Sequence, residues 1–326
     1  MKKYFNIVLL VFLATSLSSC LKDNYNALDP ENSPSVVEFK NPGPISSISP
    51  AGALYSLYTQ SVAASPAVKV TYTVQLSGAN PASQDITINV GADPGAVAKF
   101  NTDSKLKNPT FVNYDLLDAS LYSFPKSSYV IAKGQRSVDI EVSYNADKFD
   151  FSKKYAFPLA ITSTSFGKVS TNFGTILINI TGKNAYDGIY KVTNITFNNV
   201  LSPTHTAATP RTRYLTTKNL NESYLYDSGI SGVFYGISFL NAGASSYYGN
   251  FSPVFTFAAD GKVTAVTNYY GSANASNRDA IIDPTGVNKM TVTGNTKVME
   301  VSYIMVQNGV NTLFLKEKWE YTGPRP

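Results

Sequence analysis

The sequence has very few of the residues that form covalent cross-links, metal centres and catalytic dyads. Its 326 residues include one cysteine, Cys20, and one histidine, His205. A lone cysteine excludes an internal disulfide, so the fold must be held by burial and hydrogen bonding. A structural zinc site, which takes four nitrogen or sulfur ligands, is not expected either. His205 follows Ser202-Pro203-Thr204, a pattern that predicts a solvent-exposed loop.

Charged residues are also scarce, at 15% of the chain. The net charge is +5, but the lysines and arginines are scattered and form no dense run. A nucleic-acid partner is therefore not expected, because such proteins concentrate their positive charge. The sequence also lacks a glycine-rich phosphate loop, a Gly-x-Ser-x-Gly elbow and the acidic spacing of a calcium loop. We predict no cofactor, no metal site and no enzymatic activity.

The first twenty residues have the order of an export signal. Two lysines precede an apolar run at residues 7–13, which is too short to span a bilayer. The leucine-small-small-cysteine order at 17–20 resembles the lipobox of bacterial lipoproteins. That resemblance implies that residues 1–19 are a signal peptide and that Cys20 carries a diacylglyceryl group and a further acyl chain, since one chain alone anchors weakly. The alternative is an ordinary secreted protein with an incidental cysteine.

Residues 20–35 are rich in asparagine, serine and proline, which predicts an acylated tether. Within them, Lys22-Asp23 loosely resembles the acidic export tag of surface lipoproteins in Bacteroidetes-type bacteria. This resemblance implies an outer-membrane protein, held by lipid at Cys20 and facing the cell exterior. Small, polar and proline residues suit a segment that stands a folded unit off the membrane.

Residues 36–182 contain five runs in which apolar and polar residues alternate. This alternation is typical of half-buried strands, and turn residues separate the runs. The apolar positions are Val68, Val70, Tyr72, Val74 and Leu76; Ile86, Ile88 and Val90; Val138, Ile140 and Val142; Tyr155, Phe157, Leu159 and Ile161; and Ile176, Ile178 and Ile180. The pattern predicts an antiparallel sandwich without long helices. Residues 104–122 are less periodic and predict a loop with a short helix.

This half resembles the immunoglobulin-like N-terminal domain of unknown function found in Bacteroidetes surface lipoproteins. The residues that carry the resemblance are Tyr129–Ile131 with Gly134, Ser137–Val142, Tyr155–Thr162 and Thr175–Ile180. The resemblance implies an immunoglobulin-like sandwich that acts as a spacer and interaction module. In that family the domain accompanies glycan-handling modules, and no reaction is assigned to it.

Residues 185–326 resemble the lipocalin-like barrels that follow such domains. The resemblance is carried by Ala185–Thr193, Asp283–Gly286 and Trp319–Gly323. The residues themselves also predict antiparallel strands, because Asp260-Gly261 and Asn308-Gly309 are hairpin turns between alternating runs. The fold class is therefore all-β, an immunoglobulin-like sandwich followed by an antiparallel lipocalin-like barrel.

The first hairpin carries a prediction of alternation, and the second one of register. At the first turn, Phe255 and Phe257 alternate with Thr256, and Val263 and Ala265 alternate with Thr264. At the second, a two-residue loop places Glu300 opposite Glu317, which is unfavourable. We therefore expect a three-residue loop, 307–309, that pairs Glu300 with Lys316. The shared apolar face then consists of the following side chains: Met299, Val301, Tyr303, Leu313, Leu315 and Trp319.

Tyrosines beside polar residues are the candidate ligand-binding groups. A phenol ring stacks on the C–H face of a sugar, and its hydroxyl bonds to sugar hydroxyls. The candidates are Tyr247, Tyr248, Tyr269, Tyr270, Asn250, Asn268 and Trp319. Neighbours in a strand face opposite sides, so one tyrosine of each pair should be exposed or line a lumen. The tyrosines could instead close the barrel ends, Trp319 could be core, and Glu317 either lies near a barrel end or is buried with a partner.

These features favour a surface lipoprotein that binds an extracellular polysaccharide or glycoconjugate without altering it. The resemblance adds an outer-membrane importer as a partner. One alternative is a carrier of a small apolar molecule, with a charge-free lumen lined by phenylalanines 234, 239, 255 and 257. Others are a structural or adhesive protein, and a glycosidase using two of Glu300, Glu317 and Glu320, although strand alternation sends Glu317 to the side opposite the other two.

Overall fold

The computed structural model describes residues 34–48, 55–230 and 236–325. Strands make up 56% of these residues and helices 7%, so the described part of the protein is all-β as predicted. In the described ranges, no helix is both long enough and apolar enough to cross a membrane. The predicted signal peptide, Cys20, most of the tether and Phe234 lie outside the described residues.

The N-terminal lobe, residues 34–183, is built from strands β1–β12 and one α-helix. Their bounds are β1 Val36–Phe39, β2 Ile45–Ile48, β3 Ser56–Ala63, β4 Val68–Ser77, β5 Ile86–Ala92, α1 Pro94–Lys107, β6 Asp115–Leu116, β7 Tyr122–Ser123, β8 Ser128–Ile131, β9 Ser137–Tyr144, β10 Tyr155–Thr164, β11 Lys168–Val169 and β12 Thr175–Lys183. Two 3₁₀ turns span Ala119–Leu121 and Ala146–Lys148.

Two sheets of this lobe face each other across an apolar core. One has the strand order β11-β1-β4-β9-β7, and the other β2-β3-β12-β10-β5-β8 with β6 beside β10. All five predicted runs form strands, and their apolar sides meet in this core. Most strand pairs are antiparallel, but β3 lies parallel to β12 over eight residue pairs, from Ser56 beside Ile176 to Ala63 beside Lys183. The sandwich prediction is confirmed.

Helix α1 was not expected. The segment 104–122, predicted as a loop with a short helix, contains the end of α1, strand β6 and the 3₁₀ turn Ala119–Leu121. The helix begins after Asp93, whose side chain accepts a hydrogen bond from the Gly95 amide at 3.1 Å. Proline at the first position suits a helix start. The helix buries Ala96, Val97 and Phe100 against Leu57, Ala156 and Leu177. Because Ala156 and Leu177 alternate with sandwich-core residues, β10 and β12 are covered on both faces.

The C-terminal lobe, residues 188–325, is built from strands β13–β24. Their bounds are β13 Gly188–Asn199, β14 His205–Ala207, β15 Arg211–Thr217, β16 Glu222–Tyr226, β17 Gly236–Asn241, β18 Ala244–Gly249, β19 Pro253–Phe257, β20 Val263–Asn268, β21 Arg278–Ile282, β22 Lys289–Thr293, β23 Thr296–Gln307 and β24 Val310–Gly323. Eight of them form a nearly closed antiparallel barrel in the order β20-β19-β16-β15-β13-β24-β23-β21. Strand β22 pairs with β23, and β14-β17-β18 form a small separate sheet.

The two lobes are joined by residues 184–187, and Asn184 fixes this junction. Its Nδ2 donates to the Asn219 carbonyl at 2.8 Å and to Ser223 Oγ at 3.0 Å. Its Oδ1 accepts from the amides of Tyr186 at 3.0 Å and Asp187 at 3.1 Å. These hydrogen bonds connect the end of β12 directly to the first strands of the barrel.

The β23–β24 hairpin corrects the predicted register. Its loop has two residues, Asn308 and Gly309, with positive φ values of 53° and 77°, and Gln307 lies opposite Val310. The register shifts between Met305 and Val306, so Glu300 faces Lys318 rather than Lys316. The expected three-residue loop is therefore wrong. The predicted apolar face is correct, because a displacement by two residues keeps every side chain on its own face.

The β19–β20 hairpin also contains a bulge. Phe257 pairs with Val263, and the next pair is Thr256 with Ala265. The irregularity reverses the alternation, so Val266 rather than Ala265 joins the core. The prediction is confirmed for Phe255, Phe257 and Val263 and wrong for Ala265.

Candidate functional site

A hydrogen-bonded charge lies at the centre of the barrel. Glu317 is fully buried and accepts bonds from Arg213 Nη1 at 2.9 Å, Asn194 Nδ2 at 2.9 Å, Tyr303 Oη at 2.9 Å and Trp319 Nε1 at 3.1 Å. Burial, reinforced by the charge of Glu317, raises the pKa of the Tyr303 hydroxyl well above its usual value. The sequence left two alternatives for Trp319, core or ligand-binding residue, and the structure places it in the core. For Glu317 the alternatives were a barrel end or burial beside a partner, and the structure shows burial beside a partner.

The charge network continues from Arg213 toward the barrel surface. Arg213 Nε lies 3.5 Å from Asp227 Oδ2, and the same oxygen lies 2.7 Å from Arg211 Nε. Ser238 Oγ donates to it at 3.0 Å. The positive charges of the Arg211 and Arg213 guanidinium groups are therefore balanced by the negative charges of the Asp227 and Glu317 carboxylates. A carrier of an apolar molecule needs a charge-free lumen, and this interior does not provide one.

The pair Tyr247-Tyr248 is split by strand alternation. Tyr247 is 43% exposed, whereas Tyr248 is buried. The Tyr248 hydroxyl lies 2.7 Å from His205 Nδ1 and 2.6 Å from Asn199 Nδ2, and its ring stacks on Phe239 with centroids 4.3 Å apart. His205 is therefore half-buried in β14, and its predicted position in a solvent-exposed loop is wrong.

Tyr247 lines a surface pocket of about 320 Å³. Arg211 and Ser238 of the charge network also line it, together with Ser245 and Ser246. We call this the Tyr247 pocket. It combines an exposed ring with hydroxyl groups and a guanidinium that Asp227 already neutralises.

The asparagine candidates hold turns together. Asn268 is buried, its Oδ1 accepts from the Ser252 amide at 3.0 Å, and its Nδ2 donates to the carbonyls of Asn250 at 2.9 Å and Arg278 at 2.8 Å. Asn250 has a left-handed φ of 53°, and its Nδ2 donates to Ser276 Oγ at 3.1 Å. Their donors are directed at the protein itself, so the structure gives these two residues a local structural role.

The second tyrosine pair belongs to a larger aromatic surface. Tyr269 is 41% exposed, and its ring centroid lies 4.8 Å from that of Tyr224 and 5.6 Å from that of Tyr270. On the neighbouring strands, Tyr214 pairs with Tyr226 across the sheet, with centroids 5.6 Å apart and ring planes at 11°. We call these five residues the tyrosine face.

The tyrosine face lies on the outer side of the barrel. Tyr214, Tyr224 and Tyr226 alternate with Leu215 and Leu225, which are fully buried in the barrel core. Sequence reasoning missed these three tyrosines. The signal was present as the Tyr-Leu-Tyr alternation of β16, which places two rings on one face of a strand.

A depression of about 250 Å³ lies among these rings. It is lined by Tyr214, Thr216, Tyr224, Tyr226 and Arg325. The Arg325 guanidinium is fixed by Asp187, with Nε–Oδ1 and Nη2–Oδ2 distances of 3.2 and 3.1 Å. The depression thus offers flat rings, a hydroxyl and a positioned cation within one small area.

The carboxylates considered for glycoside hydrolysis do not share a cleft. Glu317 points into the barrel, whereas Glu320 is outside and pairs with Lys318 at 2.9 Å. Glu300 faces Lys318 on the neighbouring strand. Nor do the described residues contain a group of three or more His, Cys, Asp or Glu side chains that could hold a metal ion. The assignment of any predicted residue to ligand binding stays a prediction.

The chain resembles known structures in fold. Residues 46–167 match a family model described as a "-like, N-terminal domain". No curated protein matches the chain. A protein of unknown function from Bacteroides ovatus aligns over 89% of this chain and 95% of its own, with 15% identity and a TM-score of 0.56. The β-rich two-domain architecture is thus also found in Bacteroides.

Two further solved structures are less similar. A second Bacteroides ovatus protein of unknown function has 15% identity, covers 88% of this chain and 93% of its own, and has a TM-score of 0.44. An auxiliary nutrient binding protein from Bacteroides thetaiotaomicron has 15% identity, covers 81% and 89%, and has a TM-score of 0.39.

Proposed function

We propose that this protein binds an extracellular polysaccharide or glycoconjugate through the tyrosine face, without altering it. The observation that carries this proposal is the set of tyrosine rings on the outer wall of a rigid barrel. A sugar ring has a C–H face that stacks on an aromatic ring and hydroxyls that bond to polar groups. Tyr214, Tyr226 and Arg325 supply both within the same depression.

The rings are held in place before any ligand arrives. Tyr214 and Tyr226 are half-buried, they lie on adjacent hydrogen-bonded strands, and their planes are nearly parallel. Fixed side chains lose little rotamer freedom on binding, so more of the contact energy is available for affinity. A flexible loop with the same residues would bind the same sugar more weakly.

We also propose that the protein is a lipoprotein of the outer membrane, anchored through Cys20 and facing the cell exterior. The export-signal order of residues 1–20 supports this proposal. An outer-membrane importer is the partner implied by the family resemblance. Two measurements test the anchoring. The mass of the mature amino-terminal peptide should include acyl chains, and protease added to whole cells should degrade the protein; an unmodified Cys20 or full protection contradicts the proposal.

The binding test is a glycan and polysaccharide array on the chain lacking residues 1–20. We expect Tyr226→Ala to weaken binding about tenfold, equivalent to about 1.4 kcal/mol, since the ring supplies stacking area. Tyr247→Ala serves as the matched control, because it removes an exposed tyrosine from the Tyr247 pocket. Circular dichroism verifies that both variants fold.

The outcomes separate the alternatives. Loss of binding in Tyr247→Ala alone would move the site to the Tyr247 pocket. An inert wild type across the whole array would contradict the proposed function and favour the structural or adhesive alternative. Release of reducing sugar from a bound polysaccharide would contradict a purely binding role.

A further inference from the structure

A cleft between the two lobes continues the tyrosine face. It has a volume of about 340 Å³ and is lined by Thr59, Ser61 and Lys153 of the N-terminal lobe and by Thr217, Lys218 and Arg325 of the C-terminal lobe. We call it the interlobe cleft. Arg325 lines both the interlobe cleft and the depression of the tyrosine face, and Thr216 of that depression precedes Thr217 of the cleft. The two sites are therefore adjacent parts of one surface.

The interlobe cleft is lined by three cations, Lys153, Lys218 and Arg325, and by one carboxylate, Asp150. Oδ1 of Asp150 already accepts hydrogen bonds from Ser152, at 2.6 Å from Oγ and 3.0 Å from the amide nitrogen. These bonds lower the pKa of Asp150, so it remains charged. The lining therefore has an excess of positive charge.

The counterions of two of these cations lie outside the lining. Arg325 pairs with Asp187, whose side chain is only 2% exposed, and Lys218 pairs with Glu222 at 3.1 Å. Asp187 orients Arg325, so that the guanidinium lines the cleft and the carboxylate does not. Because Arg325 and Lys218 are held by these pairs, an incoming anion would meet positioned donors.

We infer that the ligand is an acidic polysaccharide that lies across both lobes. This inference rests on the proposed function. Sugar rings stack on the tyrosine face, and a carboxylate of a neighbouring sugar unit lies among Lys153, Lys218 and Arg325 in the interlobe cleft. The net charge stays positive after removal of residues 1–20, which contain Lys2 and Lys3 and no acidic residue, and this charge also attracts a polyanion over a longer range. The N-terminal lobe is then part of the binding site through Lys153, in addition to serving as a spacer.

The test compares polymers that differ only in charge. Native affinity gels with the chain lacking residues 1–20 would contain polygalacturonate, the same polymer with methyl-esterified carboxylates, alginate, hyaluronan, dextran or polyphosphate. We expect retardation by at least one carboxylate polymer and, for the galacturonan pair, stronger retardation by the free acid. Polyphosphate, which has charge but no sugar rings, should bind at least tenfold more weakly than the best carboxylate polymer.

Two lysine variants locate the charge effect. Lys153→Gln should weaken binding of the best carboxylate polymer at least threefold, whereas Lys133→Gln, an equal charge loss in the β8–β9 turn, should leave it unchanged. Equal effects of the two variants would overturn the inference in favour of nonspecific attraction. Equal or stronger binding of polyphosphate would overturn it in the same way.

The experiments distinguish a failure of the acidic-ligand inference from a failure of the proposed polysaccharide binding. Binding to dextran or to the esterified polymer, equal to that of the acids, overturns the acidic ligand but leaves polysaccharide binding in place. No retardation by any of these polymers, together with an inert glycan array, overturns both. Loss of carboxylate-polymer binding in Tyr226→Ala as well as in Lys153→Gln supports a single chain that contacts both sites.

Discussion

The two lobes are both all-β, but their interiors are built from different chemistry. The sandwich core is apolar apart from tyrosine hydroxyls, of which Tyr72 and Tyr144 bond to each other at 2.9 Å. The barrel encloses Arg213, Asp227 and Glu317, each with no exposed surface. The stability of the sandwich therefore depends on how well its core is filled, whereas the barrel also depends on ion pairs and hydrogen bonds around buried charge.

The largest expected effect comes from breaking the barrel network. Glu317→Ala removes the acceptor of four donors and leaves Arg213 with only a 3.5 Å contact to Asp227 and a 3.4 Å hydrogen bond to Ser238 Oγ. We therefore expect a loss of about 4 kcal/mol in the free energy of unfolding. Urea unfolding followed by tryptophan fluorescence measures it, because the single tryptophan, Trp319, lies beside Glu317.

Glu320→Ala is the matched control for this variant. Glu320 lies three residues further along the same strand and pairs with Lys318 at the surface. An exposed pair of this kind contributes less than about 1 kcal/mol. Similar losses for the two glutamate variants would show that the buried network has no special importance.

The stability of the sandwich should depend on the volume of the side chains that fill its core. Leu159→Ala empties space in a fully buried position of β10, and we expect a loss of about 3 kcal/mol from lost burial and the cavity that remains. Far-ultraviolet circular dichroism during urea unfolding measures it. Leu116→Ala, a partly exposed leucine of β6, is the control and should cost much less. Equal costs would mean that the space left by Leu159 collapses.

The smallest expected effect concerns pH and the tyrosine pair of the sandwich. Burial raises the pKa of Tyr72 to about 12, above its ordinary value of 10.0. A raised pKa favours the protonated form in the folded state, so its contribution is complete below pH 10 and is lost as the pH rises toward 12. At pH 11 the loss is about 1 kcal/mol. In Tyr72→Phe the fall in stability between pH 9 and 11 should be smaller by that amount; an unchanged fall would show that Tyr72 does not titrate in this range.

Strand alternation predicted most of the sandwich and the composition of both cores. Such periodicity survives a bulge or a register shift by two residues, as the β23–β24 hairpin shows. It did not reveal helix α1, whose apolar face is small because Ala96, Val97 and Phe100 fill a narrow space over β10 and β12. The capping signal at Asp93-Pro94 was the only local indication of this helix.

The candidate site was harder to predict because it joins residues that are distant in sequence. Tyr269 and Tyr270 stood out through their polar neighbours, but Tyr214 and Tyr226 acquire their common face only through strand pairing. The contact between Arg213 and Glu317, 104 positions apart, likewise depends on the pairing of β15 and β24 with β13 between them. A single sequence provides local periodicity but no information on which strands lie side by side.

The parallel pairing of β3 with β12 determines how the molecule would respond to a pulling force. Strand β3 belongs to the early part of the chain, and β12 leads through Asn184 into the barrel. Tension between the amino terminus and a ligand held on the barrel would slide these strands along each other. All eight residue pairs would then resist together instead of opening one after another. The β3–β12 pair is therefore suited to hold a load, such as a long polymer drawn by flowing liquid.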